Sequence, residues 1–183
     1  MIGVLVSGQG TNLQALLDDG LPITAVASNR SGAGALDRAH DADIEAAVFA
    51  LEEYGDREQR DLAMADFLAE CDIDLVVLAG YMHLLTSPFL DRFPGRIVNV
   101  HPSLLPSFPG AHAVEEALAH GVKVTGVTVH LVDEGLDSGP ILLQEAVRVE
   151  DGDTPESLHA RLQAVEHRLL PRGVRLLLGQ VAR

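Results

Sequence analysis

The chain has 183 residues, 47% of them hydrophobic and 22% charged, and a net charge of −14 with a single lysine, Lys123, among thirteen basic residues. This length suits one domain whose core buries roughly 70% of the surface the unfolded chain exposes. The acidic balance argues against a nucleic-acid partner, which would require clustered cations. No apolar run approaches the roughly 18 residues of a membrane span. The amino terminus enters a strand-like segment without the basic region and cleavage site of a secretory leader, so a cytoplasmic location is expected. One cysteine, Cys71, permits no intramolecular disulfide.

Apolar, β-branched runs bounded by turn residues predict strands at 2–6, 23–27, 46–49, 75–78 and 97–100, with helices at 12–18, 33–40 and 58–71 between them. In the helix at 58–71, Leu62, Ala65, Phe67, Leu68 and Ala69 form an apolar stripe. The second half predicts a short helix at 114–120, strands at 124–132 and 141–149, and a terminal helix from Pro155 to about residue 178. Asp153 and Thr154 suit its start, and Asp153 with Glu156 has the spacing of a loose capping box. The chain shows no internal repeat, low-complexity segment or linker. The alternation implies an α/β fold with a parallel sheet covered on both faces, and ligands beyond the carboxyl ends of its strands.

Three stretches fall at such strand ends. Ser7-Gly8-Gln9-Gly10-Thr11-Asn12-Leu13 joins a strand to a helix, where glycines let backbone amides approach an anion. Leu13 stands where a dinucleotide fingerprint needs its third glycine, and no Gly-Lys-Ser/Thr follows, so a single phosphate fits this loop better than a dinucleotide or ATP. The competing interpretation is a tight strand-to-helix turn. Gly80-Tyr81-Met82-His83-Leu84-Leu85 either lines a flat apolar pocket or covers the core.

Asn99 and His101 share one side of the strand that leads into Pro102-Ser103-Leu104-Leu105-Pro106, while Val98 and Val100 face the other. Histidine moves protons near neutral pH and asparagine donates a fixed hydrogen bond to a developing negative charge, the minimum equipment for acyl transfer. The acidic loop Asp133-Glu134-Gly135-Leu136-Asp137-Ser138-Gly139-Pro140 can bring a carboxylate to His101 if it folds back over the strand end. His130 faces away from Val127, Val129 and Leu131 and reads as structural. No cluster of His, Cys, Asp and Glu has convincing zinc spacing.

Taken in order, Ser7-Gly8-x-Gly10-Thr11-Asn12-Leu13, Ala79-Gly80-Tyr81-Met82, Asn99-Val100-His101-Pro102-Ser103-Leu104-Leu105-Pro106 and Leu136-Asp137-Ser138-Gly139-Pro140 resemble the phosphoribosylglycinamide formyltransferases, a branch of the folate-dependent formyltransferase family. The resemblance runs to Glu166-His167. It implies a single Rossmann-like formyltransferase domain over 1–183, with a mostly parallel sheet, helices on both faces and an antiparallel C-terminal strand. Within it, 1–100 would be a phosphate-binding half and 101–183 a folate-binding and catalytic half. It further implies formyl transfer from 10-formyltetrahydrofolate, as cosubstrate, to the amine of glycinamide ribonucleotide in purine synthesis, without a metal. The partners are these small molecules, with the protein acting as a monomer or homodimer.

Carried over by position, the resemblance makes Asn99, His101 and Asp137 catalytic. Gly10, Thr11 and Asn12 match the phosphate loop, and Glu166 matches a carboxylate that binds ribose hydroxyls. Gln163, one helical turn before Glu166, would assist at the phosphate. Met82, Leu85 and Val132 would contact the pterin, with Leu84 beside them, and Arg57 would lie near the glutamate tail of folate. The chain departs from the family at His83, where an arginine is expected, which would make the hold on that tail weaker or pH-dependent. The family also implies a cis bond at Leu105-Pro106.

The nearest alternative is formyltetrahydrofolate hydrolase, which normally carries an additional amino-terminal domain. A transfer-RNA formyltransferase would need a further nucleic-acid-binding domain. A dinucleotide-dependent oxidoreductase would need an acidic residue closing the second strand, where this chain has Ser28-Asn29-Arg30. A non-catalytic nucleotide-binding module would leave Asn99, His101 and Asp137 without a purpose.

Overall fold

The computed structural model describes residues 1–181, so Ala182 and Arg183 of the expected domain lie outside it. In chain order the elements are β1 (Ile2–Val6), α1 (Thr11–Asp18), β2 (Ile23–Ser28), α2 (Gly34–Asp41), β3 (Glu45–Val48), a 3-10 turn (Leu51–Glu53), α3 (Arg57–Glu70), β4 (Leu75–Leu78), α4 (Ser87–Leu90), β5 (Ile97–His101), α5 (Ala113–His120), β6 (Val124–Leu131), β7 (Ile141–Arg148) and α6 (Pro155–Val181). The 3-10 turn and α4 are the elements the sequence did not announce. Both are too short to display a hydrophobic period.

The strands follow the order β3-β2-β1-β4-β5-β6-β7. β1 runs parallel to β2 and β4, and β2 runs parallel to β3, whereas β7 is antiparallel to β6. This is the expected α/β class with a mostly parallel sheet and an antiparallel C-terminal strand. No helix among the described residues is long and apolar enough to cross a membrane. The chain divides into two compact units, one from Met1 to Val98 and one beginning at Asn99.

In the first unit every residue of β1 is buried, flanked by the inaccessible Val26 of β2 and Val76 and Val77 of β4. A central parallel strand covered on both faces has no polar side, which is why these strands read as continuous apolar runs. Each fully buried aliphatic side chain contributes about 1.5–3 kcal/mol. From β1 the chain steps outward through β2 and β3, then returns to the other edge of β1 as β4. The strand order therefore reverses between β1 and β4, the place where open α/β sheets bind ligands.

The α3 stripe is phased differently from the sequence expectation. Its buried face is Arg60, Asp61, Met64, Ala65 and Leu68, while Leu62 and Ala69 are exposed. Counting only apolar residues shifts the stripe, because the true face opens with a charged pair. Asp56 caps the helix by accepting from the Gln59 N–H at 2.9 Å.

In the second unit α6 packs against β6 so closely that a Cβ at Gly173 would lie 2.6 Å from Val129 Cγ1. The α6 capping box forms one residue later than the sequence suggested. The Ser157 N–H donates to Thr154 Oγ1 (3.2 Å) and the Thr154 N–H donates to Ser157 Oγ (3.0 Å). Asp153 instead receives Arg161 Nη1 at 2.8 Å, Ser157 Oγ and the Glu150 N–H. The Arg161 bond above all holds its carboxyl well below the usual range.

The Leu105-Pro106 bond is cis, as the family resemblance implied. Beside it, the buried Thr128 hydroxyl accepts from the Leu105 N–H (3.1 Å) and from Gln144 Nε2 (3.0 Å), and donates to the Ser103 carbonyl (2.7 Å). Thr128→Val keeps the shape but strands these groups. It is expected to cost about 1–3 kcal/mol of folding stability in urea denaturation, against a negligible change if the hydroxyl were dispensable.

Candidate active site

At the reversal between β1 and β4, one hydroxyl ties three strand ends together. Ser7 Oγ, following β1, donates to Asn29 Oδ1 just beyond β2 (2.7 Å) and accepts from the Met82 N–H beyond β4 (2.9 Å). Ser7 and Asn29 are both buried.

The loop after Ser7 rests on α2. The Ala35 N–H donates to the Gly8 carbonyl (3.1 Å), and Arg38 donates from Nε to the Gln9 carbonyl and from Nη1 to Gln14 Oε1, both at 2.9 Å. Gly10 is the N-cap of α1 with φ of 74°, and a Cβ there would lie 2.6 Å from Ala35 Cβ. Left-handed backbone and lack of space both demand glycine. Thr11 and the buried Asn12 occupy the first turn of α1, so Gly10, Thr11 and Asn12 sit together at a helix start.

The loop after β4 is braced from α3. Arg60 and Asp61, both fully buried, form an ion pair in which Nε (2.9 Å) and Nη2 (2.6 Å) converge on Asp61 Oδ1. Asp61 Oδ2 accepts from the Thr86 N–H (2.8 Å) and Thr86 Oγ1 (2.9 Å). Arg60 Nη1 lies 2.8 Å from Nδ1 of His83, and Arg57 donates to the Leu84 carbonyl. Met82 and Leu84 are 71% and 56% exposed and do not cover the core, whereas Tyr81 of the same loop is buried and Leu85 half-buried. Partial burial, then Arg60 and Arg57, push the His83 imidazole down from its usual range. Burial pushes the neighbouring Tyr81 hydroxyl up to about 12. A large open cavity of about 1030 Å³ adjoins Arg57 and Thr86, lined also by Leu51, Tyr54 and Asp56.

In the second unit, Asn99 and His101 project from β5 as the alternation predicts, and His101 is buried. Of the acidic loop, Asp137 is the residue that folds back. Its Oδ2 lies 3.4 Å from His101 Nδ1 and accepts from the Gly110 N–H at 2.8 Å, and its Oδ1 lies 3.6 Å from His130 Nε2. Burial alone would raise this carboxyl. The His130 hydrogen bond, the Gly110 N–H and the charges of His101 and His130 outweigh that and hold it below the usual range. Asp137 adopts a φ of 49°, a left-handed backbone that aspartate tolerates better than most residues.

His101 Nε2 lies 2.8 Å from the Phe108 carbonyl, which can only accept, so this nitrogen carries a proton while Nδ1 faces the carboxylate. The same logic sets His130. Its Nδ1 donates to the Leu131 carbonyl (2.8 Å), and its Nε2 lies between Asn99 Nδ2 (3.3 Å) and Asp137 Oδ1 (3.6 Å). The sequence set this histidine aside as structural, but it belongs to the cluster. Its signal was its place at the end of β6, which matters only once strand order brings β6 beside β5.

Of the other expected residues, Glu166 is buried on α6 with Gln163 half-buried one turn earlier, and Val132 and Leu85 are half-buried beyond β6 and β4. No group of three His, Cys, Asp or Glu among the described residues is arranged to hold a metal ion.

Comparison with known proteins follows this geometry. Residues 1–174 match the formyl transferase family. A protein of Mycobacterium tuberculosis named phosphoribosylglycinamide formyltransferase is 46% identical over 179 residues, covering 95% of this chain and 83% of its own length. The human trifunctional purine biosynthetic protein adenosine-3 is 44% identical over 96% of this chain, which spans only 18% of that longer protein. The crystal structure of glycinamide ribonucleotide transformylase 1 from Symbiobacterium toebii superposes with a TM-score of 0.95 at 49% identity, covering 96% of this chain and 86% of that one. With the match running almost end to end, the chain belongs to the formyl transferase family.

Proposed function

We propose that this chain transfers the formyl group of 10-formyltetrahydrofolate to the amine of glycinamide ribonucleotide, the purine-synthesis step for which its relatives are named. The observation that carries this reading is the Asp137 carboxylate set against both His101 and His130, with Asn99 meeting the latter. A primary amine like that of a peptide amino terminus has a pKa of about 8, so an attacking neutral fraction exists at pH 7. Its nitrogen bonds to the formyl carbon, and the carbonyl oxygen becomes an oxyanion. Asn99 Nδ2 supplies a hydrogen bond to that charge, and His101 joins it by turning its Nε2–H from the Phe108 carbonyl to the oxyanion.

Collapse breaks the bond to the folate nitrogen, and the proton lost by the attacking amine ends on that leaving nitrogen. Asp137 supports this transfer by holding His101 in place and accepting the charge of its ring. The loop Gly10-Thr11-Asn12 takes the ribonucleotide phosphate through backbone amides, which needs no lysine in an acidic protein. Glu166 and Gln163 serve the ribose and phosphate. Arg57, Met82, His83, Leu84, Leu85 and Val132 serve the folate.

The deciding assay follows loss of 10-formyltetrahydrofolate with and without glycinamide ribonucleotide. Amine-dependent consumption is expected, and equal consumption without the amine would assign the chain to hydrolysis instead. His101→Ala is expected to lower kcat on the order of 100- to 1000-fold while binding of the ribonucleotide is retained. Gly10→Val, which drives a side chain into Ala35, should raise KM for the ribonucleotide more than it lowers kcat.

Asp137→Asn keeps a residue that tolerates the left-handed backbone and removes the charge. Because the folded carboxyl titrates below its unfolded value of about 3.9, its stabilisation is present above that pH and disappears as pH falls through the folded value. Denaturation curves of parent and variant should therefore differ at pH 7 and converge below about pH 4.

A further inference from the structure

The Arg60–Asp61 pair does more than fill α3. Asp61 balances the buried guanidinium's charge and takes Nε and Nη2, and Nη1 reaches past it to Nδ1 of the exposed His83. Because Arg60 can only donate, Nδ1 must be the bare nitrogen, and the ring proton resides on Nε2. Protonating Nδ1 would break this bond and set a cation against a buried cation. In the chain His83 follows Met82 and precedes Leu84, both largely exposed just beyond β4. The charged and titratable groups around it are Arg60, Asp61 and Arg57 from α3, Arg30 beyond β2 and Tyr81 of its own loop, of which only Asp61 favours the charged ring.

We propose that Arg60 is a positioning residue for the formyl donor: by occupying Nδ1 of His83 it presents the Nε2–H to an oxygen acceptor of the bound cosubstrate. This rests on the reading of the Tyr81–Leu85 loop as part of the donor site. In place of the weaker or pH-dependent hold expected at His83 it gives a pH-independent one, since the ring held by Arg60 presents the same single donor throughout the neutral range. Arg60 touches no reacting atom, so its removal should act on KM and leave kcat alone.

The test combines ring nitrogen NMR of His83, assigned by loss of its signal in His83→Gln, with KM for 10-formyltetrahydrofolate from pH 5.5 to 8.5. The parent should show the Nε2–H tautomer, with no His83 titration near the usual imidazole value of about 6.5. Arg60→Met should move the His83 midpoint toward that value and give KM a matching inflection. It should also raise KM at pH 8 about tenfold, with kcat within about twofold.

Arg60→Met leaves Asp61 charged and unpaired, so two further variants accompany it. Arg60→Met/Asp61→Asn removes the pair as a unit. Arg60→Lys keeps the charge without the fork that spans both partners. The double variant should show the same His83 shift, and Arg60→Lys, which retains the cation, a smaller one. An Nδ1–H tautomer or ordinary titration in the parent overturns the proposal, as does an unchanged KM profile in folded variants. If the parent binds no formyl donor, the functional reading fails, while the NMR measurement still decides the Arg60–His83 arrangement.

Discussion

A carboxylate held between two buried imidazoles is the constraint on which the His101–Asp137–His130 cluster depends. Asp137 bears no fixed relation to β5 in sequence, yet its left-handed backbone and the Gly110 N–H aim it at His101 and His130 together. Without it, His101 Nδ1 and His130 Nε2, on rings at most 4% exposed, would lose the polar partner they share, a costly arrangement in a poorly solvated place. With it, each ring has one nitrogen on a backbone carbonyl and the other on the cluster. That division leaves little rotational freedom in the cluster around Asn99.

The first unit solves a different problem, that of holding three loops still at the edge of a sheet. Ser7 does this with one hydroxyl between Asn29 and the Met82 N–H, and Arg60 with Asp61 does it from behind through His83 and Thr86. Both devices place polar groups where water is scarce, and both satisfy them by hydrogen bonding rather than by exposure. Rigid loops on a rigid sheet cost little further entropy when a ligand binds.

What was legible in the sequence follows from periodicity and short-range chemistry. The strands at 2–6 and 75–78 were read to the residue because buried parallel strands are uninterrupted apolar runs. Gly10, Asn99 and His101 were legible because a helix start and a strand's alternation are local facts. The α3 stripe was misphased at Leu62 and Ala69, since a buried face that begins with Arg60 and Asp61 looks like surface to any count of apolar residues. The capping box moved from Asp153 and Glu156 to Thr154 and Ser157 because Arg161, two turns into α6, claims Asp153.

The sequence by itself determined the order of the strands and longer helices, the α/β class, the glycine at the start of α1, the Asn99 and His101 face and, through the ordered motifs, the family. Each of these rests on interactions within a few residues or on a pattern along the chain. Only the tertiary structure decided that Asp137 rather than another loop acid meets His101, that His130 belongs to the cluster and meets the Asn99 amide, and that Arg60 stands behind His83. These pairs are separated by 36, 31 and 23 residues. Such contacts are chosen by how whole elements pack, and a hydrogen bond that exists only after packing leaves no period in the sequence.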